Sequence, residues 1–251
     1  NESKTLVRAK PIIRALEDFS VEEECSHILH TKKISTKDNL LAIANIRASL
    51  DGIRCVNLIY QSLLSKRNTA FCASRSDHME LLDEFWNHMF PGKRRNGGLK
   101  SEDWKEIGFQ GIDPSSDFRG LGMLGLFQLC HLATHFSQDA RKILAQSVNP
   151  RGYFPFAVFG INLSSFILEL FYELRLHKSL LIELDTSEID GKNCDLNFLV
   201  NKGEEKVHDI FAELFNDFAV IWKQSDPENI FAFPAIFADF KRISREKYIH
   251  L

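Results

Sequence analysis

WKEIGFQGIDPSSDFRGLGMLGLFQL, from Trp104 to Leu129, is the stretch around which the chain is organised. It holds five of the chain's 13 glycines and one proline. Glycine is unfavourable inside a helix and useful where the backbone must turn or lie close to another group. One arginine, Arg119, lies between Phe118 and Gly120 in this stretch. The composition therefore predicts a shaped surface that presents this arginine to a partner, on a scaffold formed by the rest of the chain.

The overall composition is that of an ordinary globular protein. Among 251 residues, 44% are hydrophobic and 26% are charged, and the 21 phenylalanines predict a core built from aromatic rings. A net charge of -3 argues against nucleic acid as the main partner, because no excess of basic residues is present to neutralise phosphates. No apolar run reaches the roughly 18–20 residues of a membrane span. Five cysteines without a close pair favour reduced thiols and a cytoplasmic location.

Apolar residues recur three or four positions apart through most of the chain, which is the spacing of helices. The pattern predicts helices over residues 77–89 and 207–222, and a central helix, buried on most sides, within 153–176. It also predicts a helical region over 36–65, in which Gly52 marks a break between two helices. The polar residues 186–202 indicate a loop.

No alternating pattern typical of strands competes with these helices. The sequence therefore predicts an all-α fold, a single-domain orthogonal multi-helix bundle with a Phe-rich core and a central buried helix. Residues 1–35 are predicted to be an N-terminal helical extension, which faces a partner or is loosely attached. Residues 36–251 form the main domain in this prediction.

Two groups of side chains have spacings that occur in metal sites. His131 and His135 lie four residues apart on a predicted helix, and Cys25, His27 and His30 lie close together. The histidine pair lacks the intervening glutamate of a zinc hydrolase, and no third ligand is placed. Ordinary packed or exposed side chains are therefore the favoured interpretation, and no metal site is predicted.

Motifs for nucleotide binding or nucleophilic catalysis are also weak or missing. Gly120, Gly122 and Gly125 match Gly-x-Gly-x-x-Gly, but Pro-Ser-Ser-Asp precedes them where a dinucleotide site needs a buried strand. The sequence contains no Gly-x-Ser-x-Gly elbow and no phosphate-binding loop followed by Lys-Ser or Lys-Thr. The protein is not predicted to be an enzyme in its own right.

The role of Arg119 has two interpretations at this stage. Asp117 or Ser116 is predicted to cap the following helix, which would place Arg119 in its first turn, near the glycines at 120 and 122. Arg119 then either braces the loop, through Asp117, Asp113 or a carbonyl, or is held out toward the nucleotide site of another protein. The residues alone leave both interpretations open.

The motifs of this stretch resemble the signature of the ELMO domain. That signature has a tryptophan, Ile-Gly-Phe-Gln-Gly, a proline and Thr-Asp-Phe-Arg-Gly, and here these are Trp104, residues 107–111, Pro114 and residues 117–120. Ser116 replaces the usual threonine and keeps its hydroxyl. A second stretch, FAVFGINL at 156–163, is similar to a later helix of the family. The resemblance covers about residue 40 to the C-terminus.

The resemblance implies a function in GTPase regulation. Short members of this family are GTPase-activating proteins for Arf and Arl small GTPases, whereas long engulfment-type members are scaffolds for a Rac exchange factor. This chain is similar to the short members, which makes Arg119 the implied catalytic arginine finger, acting in trans on a GTP-bound Arf/Arl GTPase. The alternative is a non-catalytic module that docks a small GTPase or an exchange factor.

The same resemblance implies partners and site residues. The protein needs no cofactor of its own, since GTP and Mg²⁺ belong to the partner GTPase, and we expect a monomer in the cytoplasm that is able to attach peripherally to organelle membranes. The residues implied to shape the loop or bind the partner are Trp104, Gly108, Phe109, Gln110, Gly111, Asp113, Pro114, Asp117, Phe118 and Gly120.

Two further features remain open in the sequence. Gln110, nine residues before Arg119, is able to orient an attacking water, although a hydrogen bond from its side chain to loop backbone is the favoured interpretation. The basic residues Lys93, Arg94 and Arg95 contact membrane, contact the partner or form a solvated loop.

Overall fold

The structure is a computed structural model that describes residues 11–96, 98–184 and 195–248. These residues contain helices and connections but no strand, which confirms the all-α prediction. Nine α-helices of the described residues are α1 Val21–Lys32, α2 Leu40–Asn68, α3 Ser76–Met89, α4 Gly122–His135, α5 Ser137–Ser147, α6 Phe156–Tyr172, α7 His177–Glu183, α8 Leu196–Ser225 and α9 Phe233–Lys247. Three short 3₁₀ helices are Glu102–Ile107, Pro114–Gly120 and Ile230–Ala232.

The described residues fall into two compact units. The first unit contains residues 11–63, 170–184 and 195–206, and the second contains 64–96, 98–169 and 207–248. The glycine-rich stretch lies wholly in the second unit. The predicted domain boundary between residues 35 and 36 stays a prediction.

A dense aromatic cluster forms the core of the second unit, as the phenylalanine content predicts. Phe159 of α6 stacks on Phe218 of α8, with ring centroids 3.9 Å apart. The Phe215 ring meets the Phe159 ring edge-on, and Phe237 and Phe240 of α9 meet the Phe218 ring edge-on. Edge-to-face and offset pairs of this kind contribute about 0.5–1.5 kcal/mol each beyond their buried area. The part of helix α6 in this unit contributes eight fully or largely buried apolar residues, which confirms the predicted central buried helix.

In the first unit, residues 11–32 pack against α2 and are not loosely attached. Cys25 and Ile28 of α1 form a buried cluster with Leu50 of α2. The side chain of Asn57 on α2 donates hydrogen bonds to the backbone carbonyls of Ile12 and Glu17, and these polar contacts fix the turn before α1. The apolar side chains of α1 therefore pack on α2.

Three secondary-structure predictions were wrong. Residues 16–20 interrupt the predicted N-terminal helix, and Leu16 there has a positive φ of 52°. Gly52 does not break α2, which is continuous from Leu40 to Asn68 because the glycine is buried inside the helix. The predicted loop over 186–202 is helical from Leu196 onward, and its residues 186–194 lie outside the described part of the chain.

Candidate functional site

The base of the site is a short connection that begins with the first 3₁₀ helix. The Ser101 hydroxyl accepts a hydrogen bond from the Asp103 N–H and caps this helix, while the Ser101 N–H donates to the Ile112 carbonyl at 2.8 Å. Trp104 is fully buried, and its indole N–H donates to the Leu99 carbonyl at 2.7 Å. The two ends of the segment from residue 101 to 112 are therefore joined by one backbone hydrogen bond.

The aromatic residues of the signature fill the space beneath this connection. Phe109 is buried and meets the rings of Trp104 and Phe118 edge-on, with both pairs of centroids 5.7 Å apart. Phe85 of α3 meets Phe109 from the other side. Trp104, Phe109, Pro114 and Phe118, which the sequence placed in the loop or partner surface, are thus loop-shaping residues with no surface for a partner.

Two glycines of the signature are required by the fold. Gly108 has φ of +86°, and a Cβ there would overlap the backbone N of Phe156 and lie 2.8 Å from the carbonyl carbon of Pro155. Gly122 has φ of +50°, and its Cβ would overlap the carbonyl oxygens of Arg67 and Thr69. Glycine is the residue that adopts such conformations without strain. These two positions hold the signature against α6 and against the end of α2.

The second 3₁₀ helix, which carries Arg119, begins earlier than the sequence indicated. Its N-cap is Asp113, whose carboxylate accepts hydrogen bonds from the Ser115 N–H and hydroxyl, and Pro114 occupies the first position. The predicted caps Asp117 and Ser116 lie inside this helix, and α4 starts only at Gly122. Arg119 is therefore in the last turn of a short helix, where a cation is favourable, and not in the first turn of α4.

Asp117 joins the two halves of the signature. Its Oδ2 accepts a hydrogen bond from the Gln110 backbone N–H at 3.1 Å. Burial raises the pKa of the Asp117 carboxyl, while the Gln110 N–H and the charge of Arg119 act in the opposite direction. In this partly desolvated position, the carboxylate fixes the loop around Gln110 to the helix that carries Arg119.

Arg119 is exposed and only partly tied to the protein. Its Nε donates to the Ser116 carbonyl at 2.8 Å, three residues earlier. Among the residues that the structure describes, no carboxylate forms an ion pair with the guanidinium, and the two terminal nitrogens have no hydrogen-bond acceptor. One edge of the planar guanidinium is thus fixed, and the end that would reach an anion is open.

Gln110, Gly111 and Gly120 also lie at the surface near these bonds. Gln110 is exposed, and within the described residues its side-chain amide makes no hydrogen bond, so the favoured interpretation that it binds loop backbone is not supported. The sequence reasoning missed Ile112, which is 41% exposed on the same loop. A large apolar residue between Gly111 and the capping Asp113 was the signal that could have identified it.

Neither histidine group of the described residues forms a metal site. His131 and His135 stack with ring centroids 4.2 Å apart, and His131 Nε2 lies 2.9 Å from an Asp209 carboxylate oxygen. No group of three or more His, Cys, Asp or Glu side chains in the described ranges could hold a metal ion. The four described cysteines are free thiols, and Cys194 lies outside those ranges.

The Lys93–Arg95 loop is largely engaged within the second unit. Lys93 pairs with Glu106 at 2.5 Å, and Arg95 pairs with Asp83 at 2.5 Å. The Arg95 guanidinium lies over the Trp104 ring, 4.3 Å from its centroid. Two of the three basic side chains therefore stabilise the base of the signature.

Comparison with known proteins identifies the family. The model of the ELMO/CED-12 family matches residues 61–237, which include the whole signature. The chain belongs to the ELMO/CED-12 family. The match contains Arg119, both 3₁₀ helices of the site and the aromatic helices α6 and α8, so the ELMO resemblance drawn from the signature is confirmed.

Several ELMO-domain relatives are similar over most of this chain. ELMO domain-containing protein 2 of Homo sapiens is 28% identical over 233 residues, which are 93% of this chain and 73% of that protein. ELMO domain-containing protein B of Dictyostelium discoideum is 28% identical over 244 residues, 95% of this chain and 78% of that protein. ELMO domain-containing protein C of the same organism is 36% identical over 146 residues, 58% and 20% of the two chains. No solved structure matches the chain significantly.

No single helix in the described part of this ELMO-family chain is long and apolar enough to cross a membrane. Within the described ranges, α6 and α7 taken together as a bent pair have the length and composition of a broken span. Most of the α6 side chains are buried in the protein, as is usual for a core helix.

Proposed function

We propose that this protein is a GTPase-activating protein for Arf- or Arl-family small GTPases and that Arg119 is its arginine finger. The observation that carries the proposal is the state of Arg119: its Nε is fixed on the Ser116 carbonyl, while its terminal nitrogens face solvent with no described partner. Membership of the ELMO/CED-12 family supports the same reading.

Such a residue acts by electrostatics in the partner's active site. During GTP hydrolysis negative charge spreads over the oxygens of the γ-phosphoryl group, and an arginine supplied in trans neutralises it. This contribution is worth about 10³–10⁵ in rate, or roughly 4–7 kcal/mol of barrier. The protein supplies the arginine, while GTP and Mg²⁺ belong to the GTPase, so this chain would hold no cofactor and turn over no substrate of its own.

The geometry favours presentation of a guanidinium in one fixed direction. Because the Nε–H is already used, the side chain is oriented before the partner arrives, and less conformational freedom is lost on binding. The free Nη1 and Nη2 groups match the geometry of phosphate oxygens in a way that a lysine ammonium does not. Gln110, exposed and linked through its backbone to Asp117, is a candidate to orient the attacking water.

The second candidate is a docking module without catalytic activity. The bond from Arg119 to the Ser116 carbonyl is what a purely bracing arginine would also form. In that case the same surface would bind a small GTPase or an exchange factor and leave GTP hydrolysis unchanged.

Single-turnover GTP hydrolysis by a panel of Arf and Arl GTPases separates the two candidates. We expect the native protein to accelerate hydrolysis by at least one of them and Arg119→Lys to lose about 10³-fold of that acceleration while still binding. Equal acceleration by both proteins would refute the arginine finger. Binding without acceleration by the native protein would favour the docking module.

The role of Gln110 has its own test. If Gln110 orients water, Gln110→Ala lowers the stimulated rate about 10-fold or more, whereas Gln110→Glu tests whether the amide itself is needed. An unchanged stimulated rate for Gln110→Ala would exclude this role.

A further inference from the structure

The glycines of the signature divide into two groups according to what surrounds them. Gly108 and Gly122 have positive φ angles and no room for a Cβ, as described above. Gly111 and Gly120 have neither property: their φ angles lie outside the left-handed region, and a Cβ at either position would have no heavy atom of the described residues within 4 Å. The described fold gives no reason for glycine at these two positions.

Both of these open glycines lie beside the candidate catalytic groups. Gly120 directly follows Arg119, and Gly111 directly follows Gln110. The two segments are joined by the hydrogen bond from the Gln110 N–H to the Asp117 carboxylate. Ile112, 41% exposed, is the next residue after Gly111, and the bond from the Ser101 N–H to its carbonyl holds its backbone in place.

Bare backbone at a surface has a physical use when another molecule must come very close. Glycine makes the unfolded chain more flexible, so more conformational entropy is lost on folding. Alanine at a position without strain or clash therefore stabilises a protein. Without a side chain, a partner's main chain can pack against the peptide groups at van der Waals distance. An arginine that must reach phosphates bound inside another protein gains from this close approach, because every added methyl group would hold the two surfaces apart.

We propose that Gly111, Gly120 and Ile112 form the docking surface of this protein for the small GTPase, with the GTPase backbone seated on the two glycines and Ile112 in an apolar contact beside them. This inference rests on the proposed function and specifies the partner surface of that site. The occupant is a GTP-loaded GTPase because Gly120 directly follows Arg119, whose open terminal nitrogens are complementary to phosphate oxygens.

Glycine-to-alanine variants test this surface with a matched set. Gly111→Ala and Gly120→Ala are compared with Gly98→Ala, since Gly98 is also open and has no positive φ but lies outside the signature. A fourth variant, Gly160→Ala, represents the glycines that the fold needs, because its Cβ would lie 2.5 Å from the Leu129 Cδ2 atom. Thermal unfolding, GTPase binding and single-turnover hydrolysis are measured for each variant.

We expect Gly111→Ala and Gly120→Ala to keep the native melting temperature or raise it by up to about 4 °C. Each should raise the half-saturating concentration of the protein in the hydrolysis assay about 10-fold, as overpacking at an interface does. Arg119→Lys should instead lower the maximal rate and leave half-saturation unchanged. Gly98→Ala should behave as native, and Gly160→Ala should lose thermal stability.

If Gly111→Ala and Gly120→Ala both keep the native half-saturating concentration in the hydrolysis assay, the docking surface is overturned. It is also overturned if their activity falls in parallel with their thermal stability. If the native protein accelerates no GTPase, calorimetric binding to GTPases loaded with a non-hydrolysable GTP analogue decides. Binding that these two variants weaken would keep the surface and refute the activator function. Binding that they leave unchanged, or no binding by the native protein, would overturn the surface.

Discussion

The Lys93–Arg95 loop and the second 3₁₀ helix, Pro114–Gly120, hold their arginines in opposite ways. The Arg95 side chain is only 8% exposed, pairs with Asp83 and lies over the Trp104 ring. Arg119 is exposed and, among the residues that the structure describes, forms one hydrogen bond, to a backbone carbonyl. Arg95 therefore has both its charge and its flat face in contact with groups of the second unit. Arg119 has only the orientation of its side chain fixed, so its charge is available to another molecule.

The difference teaches that sequence context alone does not reveal what an arginine does. The sequence left membrane contact, partner contact and a solvated loop open for Lys93–Arg95, yet two of these three charges support Trp104 and the first 3₁₀ helix. Arg119, in the glycine-rich, aromatic stretch, has its side chain oriented by a backbone carbonyl and its charge left open. Four substitutions test this difference.

The largest expected effect on the fold comes from Arg95→Ala. It removes a nearly buried partner of Asp83, the cation–π contact with Trp104 and the packing of the aliphatic stem, so we expect the free energy of unfolding to fall by about 2–3 kcal/mol. Urea unfolding measures this change. The neighbouring Arg94, exposed and without an ion pair to any described residue, is the matched control, and Arg94→Ala should stay within about 0.5 kcal/mol of native. Equal effects of the two substitutions would contradict the assignment of Arg95 to the fold.

The next largest effect tests whether Asp117 orients the helix that carries Arg119. Asp117→Ala removes the acceptor of the Gln110 N–H and frees the loop from the helix that carries Arg119, so we expect the stimulated rate of GTP hydrolysis to fall about 10–100-fold. Asp117→Asn keeps an oxygen acceptor and removes a partly desolvated charge, so it should stay close to native in rate. If both substitutions lower the rate equally, the carboxylate charge and not its hydrogen bond is what matters.

The third prediction concerns pH, which leaves the charge of Arg119 unchanged because arginine stays protonated throughout. Burial, together with the neighbouring His131, Lys66 and His135 charges, lowers the pKa of His208 to about 3. His208 is therefore neutral in the folded protein, while the unfolded chain takes up a proton below about pH 6.5. The free energy of unfolding should fall by up to about 1.4 kcal/mol per pH unit from this residue as the pH drops from 6.5 toward 3.

Urea unfolding of native protein and His208→Gln between pH 7 and 4.5 measures that slope. The variant should show a slope smaller by about 1.4 kcal/mol per pH unit. Identical slopes would mean either that His208 is solvated in the folded protein, or that the Asp209 carboxylate stabilises protonated His208. Asp209 lies at hydrogen-bond distance from His131.

The smallest effect is expected for Lys93→Ala. Lys93 and Glu106 form an ion pair in which both side chains are nearly half exposed, and such pairs contribute at most about 1 kcal/mol. Thermal unfolding at low and high salt measures it, since screening weakens an exposed pair. A loss as large as that of Arg95→Ala would mean that the loop acts as one unit and that burial of Arg95 is not the decisive property.

The sequence predicted the parts of the fold that depend on local periodicity. Helix α3 and the aromatic part of α8 follow the spacing of their apolar residues, and Pro91 and Gly92 end α3 where expected. The predicted break at Gly52 was wrong because the local cost of one glycine is small compared with the burial of the continuous α2 around it.

The geometry of the site was less accessible because it depends on residues distant in the chain. The sequence predicted Asp117 or Ser116 as the cap, and this was wrong because Asp113 has an equally suitable side chain and lies directly before Pro114. The Gln110 N–H occupies Asp117, and Asp113 then caps a helix that starts at Pro114. In the same way Gly108 is explained only by Pro155 and Phe156, and Gly122 only by Arg67 and Thr69, which no local pattern connects to them.

The most direct test of the account is one sample of Arg119→Ala in which the stimulated rate of GTP hydrolysis and the melting temperature are both measured. Because the arginine is exposed and its charge is unpaired among the described residues, we predict a rate lower by about 10³-fold or more and a melting temperature within about 2 °C of native. A stimulated rate equal to that of the native protein, or a rate that falls only together with the melting temperature, would contradict the claim that Arg119 is held open for a partner.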